Sequence, residues 1–219
     1  INMDATVMSI LHKSQEELEM LARKKVKHLY LGIESGLDDV LKFMKKDHDL
    51  AQAYQAIDRL HEAGLIYDAH IMTGVAGKGR GMENAEALAQ FLNRTNPAHV
   101  VNFSMFLHKE VPLYQDIRQG TFVPADELET IREEYHLIER IAPEKVGANI
   151  LYDGFHDFIH VRVRGHLPGD KEKMLAKLNG IIQEYEGKEP VYSFVQGECP
   201  DLEYCDDGKA VWDMDRKTS

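Results

Sequence analysis

Apolar and polar positions recur along this chain with two periods, and the alternation between them predicts its elements. Ser14 and Glu17 have the spacing of a helix-capping box, and Leu18 and Leu21 follow on one helical face. HLYLGI, residues 28–33, is short, apolar and rich in β-formers, so it predicts a buried strand. Leu37, Val40, Leu41 and Met44 then repeat at helical spacing, as do Leu50, Ala53, Tyr54, Ile57 and Leu60, with Gly64 where a C-terminal glycine cap belongs. YDAHIMTGV (67–75) reads as a strand ending in glycine, Ala85, Leu88, Ala89 and Leu92 as a helix, and AHVVNFSMF (98–106) as a further strand. A long helix carries Leu128, Ile131, Tyr135, Ile138 and Ile141, and INMDATVMSI at the start reads as extended. Short strands separated by helices imply parallel pairing with right-handed crossovers, here about four successive βα units of an α/β sheet or barrel.

From residue 146 the pattern changes. NILYDGFHDFIHVRVRG suggests a loop and then an alternating strand, and Met174, Leu175, Leu178, Ile181 and Ile182 mark a helix. The tail from Gly197, with Asp206 and Asp207, is acidic and turn-rich, which predicts a solvated, poorly ordered end. The expected organisation is a βα domain over 1–145 and a C-terminal α/β appendage with an acidic tail over 146–219.

Composition narrows the function classes. With 26 Lys and Arg against 37 Asp and Glu, the net charge of −11 disfavours nucleic acid as the main partner. No apolar run approaches the roughly 20 residues that span a bilayer, so a membrane is not expected and a cytoplasmic protein is. Two cysteines, Cys199 and Cys205, are too few for a secreted disulfide scaffold of 219 residues. The first residue is Ile1, which leaves room for a preceding segment.

In parallel α/β folds, chemistry collects at the carboxyl ends of the strands. Glu34 and Ser35 lie at such an end between Gly32 and Gly36, glycines that let backbone approach a ligand closely, and a helix N-terminus follows. A capped strand-to-helix turn is the plain alternative. The next strand end supplies four glycines in eight residues from Gly74, suited to lying against a flat ring or phosphate, or to a flexible connection. Asn102 and Ser104 alternate with Val101, Phe103 and Met105, so one face of that strand is polar; Asn102 is either a satisfied core amide or a ligand contact. His156, His160 and His166 with the two cysteines match no closed zinc pattern, and no metal site is assigned. Tyr30 and Tyr54 read as packing residues.

YLGIESGLDDVLKFMKKDHD, LHEAGLIYDAHIMTGVAG and VVNFSMFLHKEVPLYQDIRQGTF together resemble the fourth, fifth and sixth strand regions of radical S-adenosylmethionine (SAM) enzymes, over roughly residues 20–145. The family's glycine-rich fifth strand is matched at Gly74 and departed from at His70, Met72 and Gly77. The resemblance implies a six-stranded partial (β/α) barrel, of which this chain would form an incomplete part, with SAM held across the strand ends. Glu34, Ser35 and Gly36 would contact its ribose or methionine, and Ile71, Met72, Gly74 and the Asn102 strand would flank its adenine. The family also binds a four-iron, four-sulfur cluster through CxxxCxxC after the first strand, a motif absent here. These observations predict the C-terminal, SAM-binding portion of a radical SAM enzyme, inactive by itself, with catalytic residues and substrate unassigned. A small-molecule substrate is expected, with the cluster supplied by a preceding segment. An exposed third-strand edge is expected to pair with that segment or with a second copy in a homodimer. The alternative is a cluster-free α/β binding or interaction domain on the same scaffold.

Overall fold

The computed structural model describes residues 1–156 and 158–194, together with the backbone of 203–204 and 210–211. Its elements run β1 (Asn2–Ala5), α1 (Val7–Leu11), α2 (Gln15–Arg23), β2 (His28–Glu34), α3 (Asp38–Phe43), α4 (Leu50–Glu62), β3 (Ile66–Thr73) and α5 (Gly81–Thr95). They continue through β4 (His99–Ser104), α6 (Leu113–Gln119), α7 (Glu127–Arg140), β5 (Ile150–His156), β6 (Val161–Leu167) and α8 (Lys171–Tyr185), with a short β7–β8 pair at Glu203–Tyr204 and Ala210–Val211.

Strands β1 to β6 form one sheet in sequence order. The first five are parallel and β6 returns antiparallel to β5. The sheet does not close on itself: β1 and β6 are its two edges. This is the unclosed α/β architecture expected from the pattern, with two differences in detail. The opening segment is extended only over Asn2–Ala5, because Thr6 and Ser9 cap each other's backbone N–H groups in a capping box and start α1. In NILYDGFHDFIHVRVRG, expected to be a loop and then one strand, residues 150–156 already form a strand paired to β4 on one side and β6 on the other, so the sheet runs on past residue 146.

Side-chain alternation gives the sheet two unlike faces. On β2, Leu29, Leu31 and Ile33 are buried against the helices, and on β3 so are Tyr67, Ala69, Ile71 and Thr73. Their neighbours, His28, Tyr30, Gly32 and Glu34 on β2 and His70 and Met72 on β3, are only partly covered and point to the opposite face. Phe103 on β4 is 39% exposed there. A second apolar cluster of Val40, Val75, Ala76, Met105, Leu107, Tyr114, Ile117, Phe122 and Phe194 lies around the carboxyl ends of the strands.

Candidate functional site

The open face of the sheet is built in cross-strand rows fixed by register. Tyr30 stands opposite Asp68, His70 opposite Val101, and Met72, Phe103, Phe155 and Arg162 follow one another across β3 to β6. The last of these rows lies nearest the carboxyl ends of the parallel strands. Phe103 and Phe155 stack with centroids 5.8 Å apart, and the Arg162 guanidinium sits 4.8 Å over the Phe155 ring. Arg162 also clasps Asp153 through two hydrogen bonds of 2.8 and 2.7 Å, while Arg164 approaches the same carboxylate at 3.6 Å.

At the head of this ledge is Glu34. The β2–β3 register shifts between Gly32 and Glu34, and Glu34 has φ 62°, a left-handed conformation that non-glycine residues rarely adopt. The bulge turns the Glu34 side chain onto the open face, where its carboxylate accepts a 3.1 Å hydrogen bond from Lys46 Nζ and stays 23% exposed. Gly32 makes room for it, since a Cβ there would lie 2.9 Å from Glu34 Oε1. Backbone strain of this kind costs on the order of 1–3 kcal/mol and persists where the surroundings impose it, typically at ligand sites.

The neighbours of Glu34 are used differently. Ser35 is fully buried and donates to Asn84 Oδ1 at 2.6 Å, and the same oxygen accepts from Gly36 N–H. Asn84 Nδ2 donates to Glu133 Oε1 at 2.7 Å, and Glu133 Oε2 accepts the Gly74 N–H at 2.8 Å. One polar chain thus ties the end of β2 to the end of β3 through α5 and α7. Gly36 is required by packing: a Cβ would come within 2.5 Å of the Ala87 and Leu88 backbone on α5. Gly74, at φ 82°, lies under Thr130, and its N–H is already spent on Glu133. Ile71 points into the core with 0% exposure. Asn102 faces the helices, where its amide accepts from Thr73 N–H and donates to Glu134. Of the seven residues singled out from the sequence, Glu34 and Met72 therefore present side chains to the open face. Ser35, Gly36, Gly74 and Asn102 shape its rim from beneath, as a satisfied core amide in the case of Asn102.

That support is a buried polar network under α7, which no single sequence motif marks. His156 lies between two carboxylates, with Nδ1 3.2 Å from Glu127 and Nε2 3.0 Å from Glu134. Both ring nitrogens are donors only in the imidazolium. Burial would lower the His156 pKa, but the two glutamates overcome it and hold the ring's pKa at about 10. Glu134 also accepts from Tyr152 Oη and Asn102 Nδ2, both at 3.0 Å. Glu133 is fully buried, and burial raises its carboxyl to about 8 although Asn84 and the Gly74 N–H favour the charged form.

Lower on the open face, His28 Nδ1 lies 2.7 Å from the buried Asp68 carboxylate, and Tyr30 Oη lies 3.0 Å from His99 Nδ1. Burial raises Asp68 and lowers His99. Tyr30, read as a packing residue, contributes both: its ring tilts against His70 at 5.1 Å while its hydroxyl is hydrogen-bonded. Tyr54 packs on Phe91 and carries Arg94 over its ring. The period-2 run Asp68, His70, Met72 is the sequence signal that marks this face. The histidines considered for metal do not converge. His156 is enclosed by Glu127 and Glu134, His160 is exposed, and His166 lies beyond them on the open face. Cys199, Cys205, Asp206 and Asp207 lie outside the described residues. Among the described residues, no group of three or more His, Cys, Asp and Glu side chains could hold a metal ion.

A carboxylate with a partnered ammonium beside a flat ledge of thioether and phenyl rings suits a ligand that joins a ring system to hydroxyl and ammonium groups. Residues 2–92 match the profile of the family described as the radical SAM superfamily. A curated relative, a tRNA uridine(34) acetyltransferase of Methanocaldococcus infernus, is 25% identical over 119 residues, covering 54% of this chain and 22% of that protein. Among solved structures, the archaeal Methanocaldococcus infernus Elp3 with an N-terminal deletion (1–46) superposes with a TM-score of 0.54 at 21% identity, over 64% of this chain and 32% of that one. The chain thus spans about a fifth of the length of the curated relative it matches.

Proposed function

We propose that the chain belongs to the radical SAM superfamily, whose profile residues 2–92 match, and that it holds SAM across the carboxyl ends of β2, β3 and β4, as the SAM-binding portion of a radical SAM enzyme. The observation that carries this reading is Glu34, a left-handed residue at a bulge whose carboxylate is turned onto the open face beside Lys46. Its carboxylate would accept from the hydroxyl or ammonium groups of SAM. Met72 and Phe103 would lie along the adenine, with the backbone of 71–75 as the rim. Ser35, Gly36 and Gly74 act through position, holding the two strand ends at fixed separation. The role expected of Asn102 passes to Phe103, because the Asn102 amide is committed to Thr73 and Glu134.

When bound and reductively cleaved, SAM supplies a 5′-deoxyadenosyl radical that abstracts hydrogen from substrate. The chain's own residues bind and orient SAM and exclude water along the ledge. They do not fit the iron–sulfur cluster, which in this family takes three thiolates. This chain has two cysteines at a spacing that matches no cluster loop, so we place the cluster ligands in chain outside residues 1–219. Acetylation of tRNA uridine 34 is named for a relative of which this chain covers 22%. Both arginines of the open face lean on Asp153, and the chain's charge is −11, so the reading favours a small-molecule substrate over RNA.

Calorimetric titration of the full-length protein with SAM tests the reading. Glu34→Gln is expected to weaken SAM binding roughly tenfold, the worth of a charge-assisted hydrogen bond, with the melting temperature unchanged. Equal affinity in the variant removes Glu34 from the site and the reading with it. Release of 5′-deoxyadenosine by the reduced full-length protein separates the enzyme from a cluster-free scaffold.

A further inference from the structure

A groove of about 690 Å³ opens at the other end of the sheet, where the amino-terminal ends of β3, β4 and β5 meet the ends of α4 and α5. None of the fourteen residues lining it is acidic, in a chain whose acids outnumber its bases by 37 to 26, whereas His61, Arg94 and Lys145 all border it. Arg94 is held in place by the Tyr54 ring, 4.1 Å from its guanidinium carbon. Burial holds His61 below the ordinary histidine value, and Lys145 adds to that effect against the opposing pull of Asp58.

The floor of the groove carries polar atoms without partners. Tyr67 is 1% exposed, and its hydroxyl makes no hydrogen bond of full geometry. The Thr95 hydroxyl beside it donates to the Phe91 carbonyl and stays close enough to Tyr67 to offset part of the rise that burial gives its pKa. Asn96, the left-handed residue that ends α5, lines the same groove with its buried Oδ1 also unpartnered. A buried polar group without a partner is costly, so such groups mark places where a ligand or water completes the bonding.

We propose that this groove is a second ligand site, distinct from the SAM face, and that it takes a sugar phosphate. Its phosphate meets Arg94 and Lys145, one of its oxygens accepts from Tyr67 Oη, and a sugar hydroxyl donates to Asn96 Oδ1. Both halves of the ligand are required by the chemistry, since the cations call for an anion and the amide oxygen calls for a donor that phosphate at neutral pH supplies poorly. The volume lies within the ordinary range for small-molecule sites.

Calorimetric titration of the full-length protein with ribose 5-phosphate tests the assignment, with ribose and inorganic phosphate as comparison ligands. Binding of ribose 5-phosphate is expected to exceed that of either comparison ligand and to weaken roughly tenfold in Tyr67→Phe and in Lys145→Ala. Tyr67→Phe removes an unpartnered hydroxyl, so its melting temperature is expected to match or exceed the parent's. SAM affinity, which belongs to the opposite strand ends, is expected to stay unchanged in both variants. Absence of binding, or equal affinity in the parent and both variants, overturns the site. Equal binding of inorganic phosphate overturns the sugar-phosphate assignment.

Discussion

Two buried ionisable side chains, His156 and Glu133, determine how the rim of the open face, where SAM is proposed to lie, responds to pH. His156 has a folded-state pKa of about 10, above the ordinary 6.5, so its contribution to stability is complete below about 6.5 and is lost as pH rises through about 10. Glu133 titrates near 8 against an ordinary 4.5, so the native state keeps a proton that the unfolded state has released, and stability falls as pH rises from 4.5 to 8. Urea denaturation across pH 5 to 9 is expected to show falling stability, and Glu133→Gln to flatten the part below 8; an unchanged slope in the variant would show that Glu133 is not the group responsible. His156→Gln leaves two buried carboxylates without their cation, and the same denaturation is expected to show a loss of about 3–5 kcal/mol at neutral pH. The sequence made Glu34 legible, since a carboxylate between glycines at a strand end stands out. It did not disclose that Ser35 and Gly74 work as struts, because their partners Asn84 and Glu133 lie 49 and 59 residues away along the chain.

At the scale of elements, α7 and β5 show where patterning succeeds and where it stops. Ile131 and Ile138 placed α7 by its apolar stripe, and both are fully buried. The same helix buries Glu127, Thr130, Glu133 and Glu134, residue types that read as a solvated face when only hydropathy is considered. Strand β5 was hidden for a related reason: Asp153, Gly154 and His156 interrupt its apolar run, yet each is matched to a partner from another element. Gly154 is open because a Cβ would fall 1.8 Å from Glu134 Oε1, so this glycine is what allows α7 to set its carboxylate against the sheet. Gly154→Ala is expected to destabilise the protein by about 1–3 kcal/mol, the cost of overpacking, and thermal melting measures it. Gly36→Ala is expected to do the same through α5 and to weaken SAM binding as well, since it displaces the turn that carries Glu34. A Gly36→Ala variant with the parent's SAM affinity would break that link between turn geometry and binding.

On the scale of the whole molecule, the sheet has helices on one face and an open, polar and aromatic surface on the other, with β1 as a parallel edge that no described residue pairs. Such an edge carries free backbone donors and acceptors and invites another strand. We expect the 219-residue chain alone to form a concentration-dependent dimer in sedimentation velocity, and the full-length protein to lose that tendency as a preceding strand covers β1; a strictly monomeric 219-residue chain would count against this pairing. The α/β class and the parallel pairing of the first strands were readable from periodicity, because parallel strands between amphipathic helices leave an unmistakable alternation. The use of the open face was not, because its rows join residues from five strands that only register brings together. Hydrogen–deuterium exchange of the full-length protein with and without SAM decides whether SAM lies on that face at the carboxyl ends of β2 to β4. Added protection is expected at residues 32–36 and 70–75 and none at 94–98; protection confined to other segments, or none on saturation with SAM, would remove SAM from this face.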